Sequence, residues 1–548
     1  MTWLCVVSAL PVVVGAAREM AIGWIPEGDD AMLVTRIHDV FSSHPPLQGM
    51  RSTSNFFDAQ LSNHHPGPLE FYLDAPISAL TGYSGPGIIT AVALLNIGCV
   101  VGTVVLAHRM RGLRTTLPVA GALLLAQWQL GPDVLARPLN PSAGTLPILL
   151  MIVGAWSVLD RDPQGLWVTL LAGSFAAQTE LAFCPLVVAV VALACIVTVA
   201  RAWRDHRQWR SPAPSHRSSV RRKRWSLPIG VTLLAWLPSI IELLVIHPNN
   251  LQLVLRLLTN SSGGRGTSTG VPGGSGYMVG RLSPTELARF GTDIGHTPAG
   301  LAMGLGMVVV VVLLVAATAG PRLPHTAASR ACWVLMLAIG AESFALSSKP
   351  DTVSATFWLL PVLVITPLVY AALALRAIEV TSSLRRQIDA SNLPAIVQRS
   401  RTPIVGVSAT VLAAVLASAV ASPPSAEASD RARTVSNAVT TYLHDHSRSG
   451  TAVRIDSYGL KSWISLAPAV AVQLARDDRA AHYLGSWPYP EDNTSWYETT
   501  APPDSVVVTL ADNGSMKEAH PGAGATQVPL PPGTGVHLWI AIPAADRA

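Results

Sequence analysis

The chain has 548 residues, of which 50% are hydrophobic and only 13% charged, with a mean hydropathy of +0.39. Soluble proteins carry roughly 25% charged residues, so a secreted globular enzyme, a disordered hub and a cytosolic nucleotide-binding fold spread over the chain are all excluded. The net charge of +5 reads as basic loops at a membrane surface rather than as a nucleic-acid footprint.

The apolar residues fall in runs. A window of about 20 residues gives about eleven candidate transmembrane helices, near 1–17, 87–107, 117–130, 144–159, 166–179, 182–200, 227–246, 300–318, 331–347, 355–375 and 403–421. The 166–200 stretch also reads as one re-entrant pair. The first run lacks a positive leader region, and Gly15-Ala16-Ala17 is a weak cleavage site, so an uncleaved helix is expected. Its abrupt start at Met1 suggests a few further residues upstream. The five cysteines all lie in apolar stretches and read as buried free thiols.

Lys and Arg set the orientation. Loops 108–116, 160–165, 201–226, 319–330 and 376–402 hold 20 basic residues in 80 positions, whereas 18–86, 131–143, 247–299 and 348–354 hold 9 in 142. The first set is therefore expected in the cytoplasm, with the N-terminus inside and the C-terminus outside a plasma membrane. The basic run 221–224 beside a helix reads as a contact with anionic membrane lipids, not with nucleic acid.

Three outer regions have room for chemistry. Region 18–86 carries eight acids: Glu19, Glu27, Asp29, Asp30, Asp39, Asp58, Glu70 and Asp74. Region 247–299 contains a Gly/Ser-rich tract at 261–276 that reads as a flexible loop. The tail, 422–548, alternates well enough for a small extracytoplasmic α/β domain following the polytopic module 1–421. Helices are expected at 427–444 and 461–476, and strands at 452–455, 481–484, 506–510 and 536–542. The tail has no nucleophile motif, P-loop or metal spacing, so it is expected to position an acceptor or brace the membrane module. Glycosylation-type patterns at Asn260, Asn493 and Asn513 are too short to weigh.

The informative segment is Gly28-Asp29-Asp30-Ala31. It is followed by Asp39-Val40-Phe41, by Pro45-Pro46-Leu47-Gln48-Gly49 and by His64-His65-Pro66-Gly67-Pro68-Leu69-Glu70-Phe71-Tyr72. Adjacent carboxylates beside a bilayer are costly and point to function. They suit holding a divalent metal such as Mg²⁺ or Mn²⁺, for which Asp30 is the candidate, or general-base catalysis by one carboxylate beside the other. The structural alternative is that both merely cap a helix starting at Ala31.

Together these motifs resemble the GT-C superfamily of membrane glycosyltransferases, in particular the branch of protein mannosyltransferases and lipid A aminoarabinose transferases. In that branch an Asp pair follows the first helix, a basic residue such as Arg36 lies a turn or two on, and a His/Lys-Pro segment leads to the second span. Here the usual Pro-Pro is Pro66-Gly67-Pro68. The motif likeness covers 28–76, and the architecture covers the chain. The Ala- and Arg-rich composition is similar to that of high-GC actinobacterial chains, in which decaprenyl-phosphate arabinose and mannose serve such enzymes.

The resemblance implies sugar transfer from a polyprenyl-phosphate donor, without a nucleotide cofactor, to a cell-wall glycan, lipoglycan or protein. By analogy, Asp29 is the general base of an inverting reaction, and Asp30 orients it or holds a cation. The leaving phosphate requires a cationic partner, for which Arg137 and Lys349 are the outer-face candidates. His64, His65 and Glu70 join Arg36 as substrate-binding candidates, while Gln178 and Glu180 either line the cavity or mark an outer hairpin turn. A transporter or lipid flippase is the rival reading, yet internal repeats are lacking and most spans have no mid-helix ionisable residue. A non-catalytic envelope assembly protein would leave the Asp pair unexplained.

Overall fold

The computed structural model describes residues 1–52, 63–162, 164–208, 229–259, 268–287, 298–318, 326–349, 357–389, 426–483, 497 and 499–547. Its helices run in order α1 (Thr2–Ala21), α2 (Gly28–Asp39), α3 (Leu69–Leu80), α4 (Gly85–Arg111), α5 (Leu113–Ala136), α6 (Asn140–Ala143), α7 (Thr145–Leu159), α8 (Gly165–Thr179) and α9 (Cys184–Gln208). They continue as α10 (Leu237–Val245), α11 (Asn250–Thr259), α12 (Gly270–Arg281), α13 (Pro284–Leu287), α14 (Pro298–Thr318), α15 (Ala327–Ser347) and α16 (Leu360–Asp389).

Among the described residues, six helices are long and apolar enough to cross a membrane: Thr2–Ala21, Gly85–Arg111, Asn140–Leu159, Leu181–Arg204, Ala327–Ser347 and Phe357–Ser382. These correspond to six of the eleven expected spans. The others differ for local reasons. Span 117–130 lies in α5, which breaks at Gly131. Span 166–179 is α8, only 15 residues long. Span 227–246 is interrupted at Trp236, and 403–421 lies outside the described residues. Span 300–318 is helical throughout as α14, with Leu301–Leu313 as its apolar stretch among the described residues. Around the nearly wholly buried α7 pack α4, α8, α9, α15 and α16, joined through one continuous apolar core. All five cysteines are free.

Ion pairs and caps gather the connecting segments into two groups. At one end Arg109 pairs with Asp162 at 2.7 Å and Arg111 with Asp160 at 3.5 Å, while Arg330 also reaches Asp160 and Arg201 reaches the Val158 and Leu159 carbonyls. These belong to the basic-rich loops. At the other end of the same helices, Arg137 meets Glu19, Gln178 meets Leu69, and Asn250 meets His64. Apart from Gln178 at the end of α8, all of these belong to the basic-poor set. The alternation read from charge is thus reproduced as a grouping in space.

The tail forms a domain of helices α17 (Ala426–His446) and α18 (Ala467–Arg476) on a five-stranded mixed sheet. The strands are β1 (Val453–Tyr458), β2 (Ala481–His482), β3 (Val506–Asp512), β4 (Thr526–Val528) and β5 (Val536–Ala541), in the order β2-β1-β3-β5-β4. β1 runs parallel to β2 and β3, and β5 antiparallel to β3 and β4. Val453, Ile455, Val506, Val508, Leu510, Leu538 and Ile540 point to the helices and form a second core. The expected elements recur with two changes: α18 is preceded by a wider turn at Ser462–Leu466, and β4, three residues long, carries too short an alternation to be read. This domain sits on α2. Ile25 and Met32 pack against its core, α18 lies along α2, and Arg433 donates to the Gly23 carbonyl.

Candidate active site

Helix α2 begins three residues earlier than the sequence suggests. Glu27 is its cap and makes no capping side-chain bond, so Asp29 and Asp30 lie inside the first turn and the capping alternative does not hold. Gly28 starts the helix at φ 56°, a left-handed conformation costly for other residues, and a Cβ there would come 3.4 Å from the Ile464 carbonyl of the C-terminal domain. The Glu27 carboxylate accepts a bond from the Ser465 hydroxyl. The Asp pair is therefore presented from a corner fixed on both sides.

The two aspartates differ. Asp29 is exposed, yet surrounding protein desolvates it enough to raise its carboxyl above 3.8, with His65 pulling the other way. Asp30 has a buried Oδ1 without a hydrogen-bond partner. Burial pushes its pKa from 3.8 up to about 7, opposed by Arg137 and reinforced by Asp29, Glu27 and Glu19. A move of that size is of order 4 kcal/mol, more than the ~0.3–2 kcal/mol that a helix N-terminus gives an anion. Desolvation wins over the dipole.

The charge of Arg137 opposes the rise of the Asp30 carboxyl. The guanidinium is held by Glu19 of α1, whose Oε2 accepts from both Nε and Nη2 at 3.1 Å. His65 is tied to the α8–α9 turn, where the Leu181 amide donates to Nδ1 at 3.0 Å. Glu180 Oε1 lies 3.5 Å from the same nitrogen, but an Nδ1 that accepts from an amide carries no proton, so the ring is neutral with its proton on Nε2. Burial lowers the His65 pKa, consistent with the neutral form.

The run 63–70 is held in place rather than free to bind. Asn250 accepts from the His64 amide at 2.8 Å and donates to its carbonyl at 3.0 Å. Gln178 accepts from the Leu69 amide at 3.2 Å and donates to the Ala235 carbonyl at 3.0 Å. Gly67 is required for this clamp, since a Cβ there would lie 2.2 Å from Gln178 Oε1. Gln178 and Glu180 thus mark the hairpin turn and brace the His-Pro-Gly-Pro run. Behind it, Glu70 and Asp74 of α3 are both 2% exposed.

Two of the candidates lie elsewhere. Arg36 is buried some 10 Å along α2 from Asp29 by helical rise, 4.0 Å from Asp39. Asp39 accepts from the Tyr497 hydroxyl of the C-terminal domain. Lys349 is buried beyond the end of α15, with its carbonyl accepting from the Thr269 amide at 2.9 Å. The sequence reading did not single out Glu19, Asp74, Asn250, Tyr497 or Arg281, a buried cation 3.6 Å from Glu286. An acid near the end of an apolar helix was the available signal for Glu19. Tyr497 had none.

Among the described residues no three His, Cys, Asp or Glu side chains converge to hold a metal ion. Asp29 and Asp30 alone do not make a protein-built metal centre, so no chemical step is routed through one. A groove of about 580 Å³ opens between α9 and α15, lined by Cys184, Val188, Met336, Gly340 and Phe344 and almost wholly apolar. Its Cys184 end adjoins the Glu180–Leu181 turn that holds His65.

No protein-family model and no curated protein matches the chain. Over its whole length it is similar to the crystal structure of ArnT from Cupriavidus metallidurans bound to undecaprenyl phosphate. The TM-score is 0.57 at 13% identity, covering 100% of this chain and 99% of that one. The apo-state structure of the same protein gives a TM-score of 0.54 at 12% identity, with 98% of each chain covered. The likeness carries the fold: a mostly helical, multi-span membrane protein of ArnT-like architecture with a C-terminal mixed-sheet domain.

Proposed function

We propose that the protein is a GT-C-type glycosyltransferase that moves a sugar from a polyprenyl-phosphate donor to a hydroxyl of an extracytoplasmic glycan, lipoglycan or protein. The observation that carries the reading is the asymmetric Asp pair, one carboxylate accessible and one buried and acted on by the Arg137 charge, at the outer-loop end of an ArnT-like fold. The ArnT structure with undecaprenyl phosphate favours a donor of that class, and the apolar groove beside the His65 turn suits its prenyl chain.

In this reaction the Asp29 carboxylate takes the proton of the acceptor hydroxyl. The oxygen attacks the anomeric carbon from the side opposite the phosphate, so configuration inverts. The bond from that carbon to the phosphate oxygen breaks with its electron pair going to the phosphate, whose growing charge Arg137 stabilises. The raised pKa of Asp29 makes it a stronger base than an ordinary carboxylate. Asp30 orients its neighbour; loss of activity on chelation, restored by Mg²⁺ or Mn²⁺, would instead make it a cation ligand. The site faces the outside, with the N-terminus in the cytoplasm and the C-terminal domain outside.

Purified protein given radiolabelled polyprenyl-phosphate sugars and envelope acceptors should transfer label. Failure with every arabinose and mannose donor, in protein shown to be folded, would sink the reading. An alkaline phosphatase fused at the C-terminus should be active and one near Ser215 inactive; the reverse pattern overturns the orientation.

A further inference from the structure

At the basic-rich end of the molecule, arginines from α4, α9 and α15 converge on the turn that ends α7. The turn is a Schellman motif: the Asp162 amide donates to the Ser157 carbonyl at 2.9 Å and the Arg161 amide to the Val158 carbonyl at 3.0 Å. Arg161 stands at its left-handed position, φ 70°, where glycine is the residue without steric cost. The turn does not need this side chain. Its last carbonyls, Val158 and Leu159, accept from the Arg201 guanidinium of α9. Its carboxylates are taken as well, Asp160 by Arg111 and Arg330, and Asp162 by Arg109. The Val158 carbonyl receives both Arg201 and the Arg161 amide, so the two arginines meet at one atom. Arg161 is exposed, and so is Arg204, three residues beyond Arg201 and on the same face of α9. Among the described residues no carboxylate pairs with Arg161, Arg201 or Arg204.

The cluster falls where four membrane-length helices end or begin: Gly85–Arg111, Asn140–Leu159, Leu181–Arg204 and Ala327–Ser347. Trp203, next to Arg204, and Trp167, at the start of α8, are exposed there, and tryptophan gathers at the interface between bilayer and water. Cations without carboxylates repel one another at the edge of an apolar layer unless an anion lies between them. A guanidinium offers a phosphate two parallel donors. We propose that Arg161, Arg201 and Arg204 form a binding site for the phosphate headgroup of an anionic phospholipid in the leaflet at the basic-rich end. Arg201 contributes charge while it holds the turn, and the exposed Arg161 and Arg204 reach the phosphate oxygens. The site lies at the opposite end of the helices from the Asp pair and does not depend on the glycosyltransferase reading.

The test uses full-length protein in a neutral detergent. The probes are dioleoylphosphatidylglycerol and dioleoylphosphatidylcholine, which share their chains and differ in headgroup charge. Native mass spectrometry should show phosphatidylglycerol retained in preference, and its addition should raise the melting temperature more than phosphatidylcholine does. Arg161→Gly separates the turn from the ligand, because glycine suits the left-handed position better than arginine. Without lipid this variant should melt at the wild-type temperature or above, yet bind phosphatidylglycerol about fivefold more weakly. Adding Arg204→Gln should remove the preference for phosphatidylglycerol. Equal retention of the two lipids by the wild type, or an unchanged preference in the double variant, overturns the proposal. So does a lower lipid-free melting temperature of Arg161→Gly with unchanged lipid binding, which would make Arg161 a part of the turn alone. Inorganic phosphate should give no comparable shift; a shift equal to that of phosphatidylglycerol would make this a site for a soluble anion and overturn the lipid assignment. No arm of the experiment requires a sugar donor.

Discussion

The two ends of helix α2 carry similar charged side chains in different circumstances. At its start Asp29 is exposed and Asp30 has an unpartnered buried oxygen. About 10–15 Å further along, Arg36 and Asp39 are 5% and 4% exposed and pair with each other, and Asp39 accepts from the Tyr497 hydroxyl. Charge at the first end is available to a substrate; at the second it is spent on docking the C-terminal domain. Acid content along the helix does not separate the two roles. What separates them is whether a partner from another element arrives.

This comparison can be broken most directly at its open end. Asp29→Asn keeps the shape but removes the proton acceptor, and turnover should fall by about 10²- to 10⁴-fold with little change in donor affinity. Full activity in folded protein would return the pair to a structural role.

The burial of the carboxylates is tested by pH. Asp30, Asp39 and Asp74 all have folded-state pKa values raised from 3.8 to about 7. A raised carboxyl favours the folded state fully below its unfolded value and loses that contribution as pH rises through its folded value. Stability should therefore decline between about pH 4 and pH 8, by an amount of order a few kcal/mol, as read by denaturation at fixed detergent. Activity should instead rise with pH as Asp29 ionises. Stability and activity rising together would contradict the assignment of raised, buried carboxyls to stability and of Asp29 to the base.

Smaller changes sharpen it. Tyr497→Phe removes one hydrogen bond to a charged group, worth about 1.5–3 kcal/mol. It should lower the melting temperature and expose the tail to protease, while kcat changes only slightly; a large fall in kcat at unchanged stability would place Tyr497 in the chemistry. Gly67→Ala should be milder if Gln178 can swing away, costing about 1–3 kcal/mol as the clamp on 63–70 loosens. Its effect should be seen as weaker donor binding and not as a lost base.

Much of the fold was legible from sequence because the signals are local. Apolar runs marked the helices, Lys and Arg sorted the loops into the two groups that the ion pairs gather at opposite ends, and alternation gave β1, β3 and β5. The Asp pair was legible because carboxylates beside a bilayer need a reason. The start of α2 at Gly28 was not, since a left-handed glycine under the Ile464 carbonyl is fixed by a domain more than 400 residues away. Span 227–246 read as continuous because hydropathy does not register the interruption at Trp236.

The sequence by itself determined a multi-span helical chain, a mixed α/β tail, and which acids and bases lie in the basic-poor connecting segments. These follow from hydrophobic periodicity and charge counting, which depend only on neighbours along the chain. Tertiary structure alone decided which charges meet across the chain: Arg137 with Glu19, Arg109 with Asp162, and Asp39 with Tyr497. The physical reason is that pairing and desolvation act through space, between residues separated by as much as the length of the membrane module. Arg36 and Arg137 are the same residue type, and only the company each keeps ties one to Asp39 and the other to Glu19.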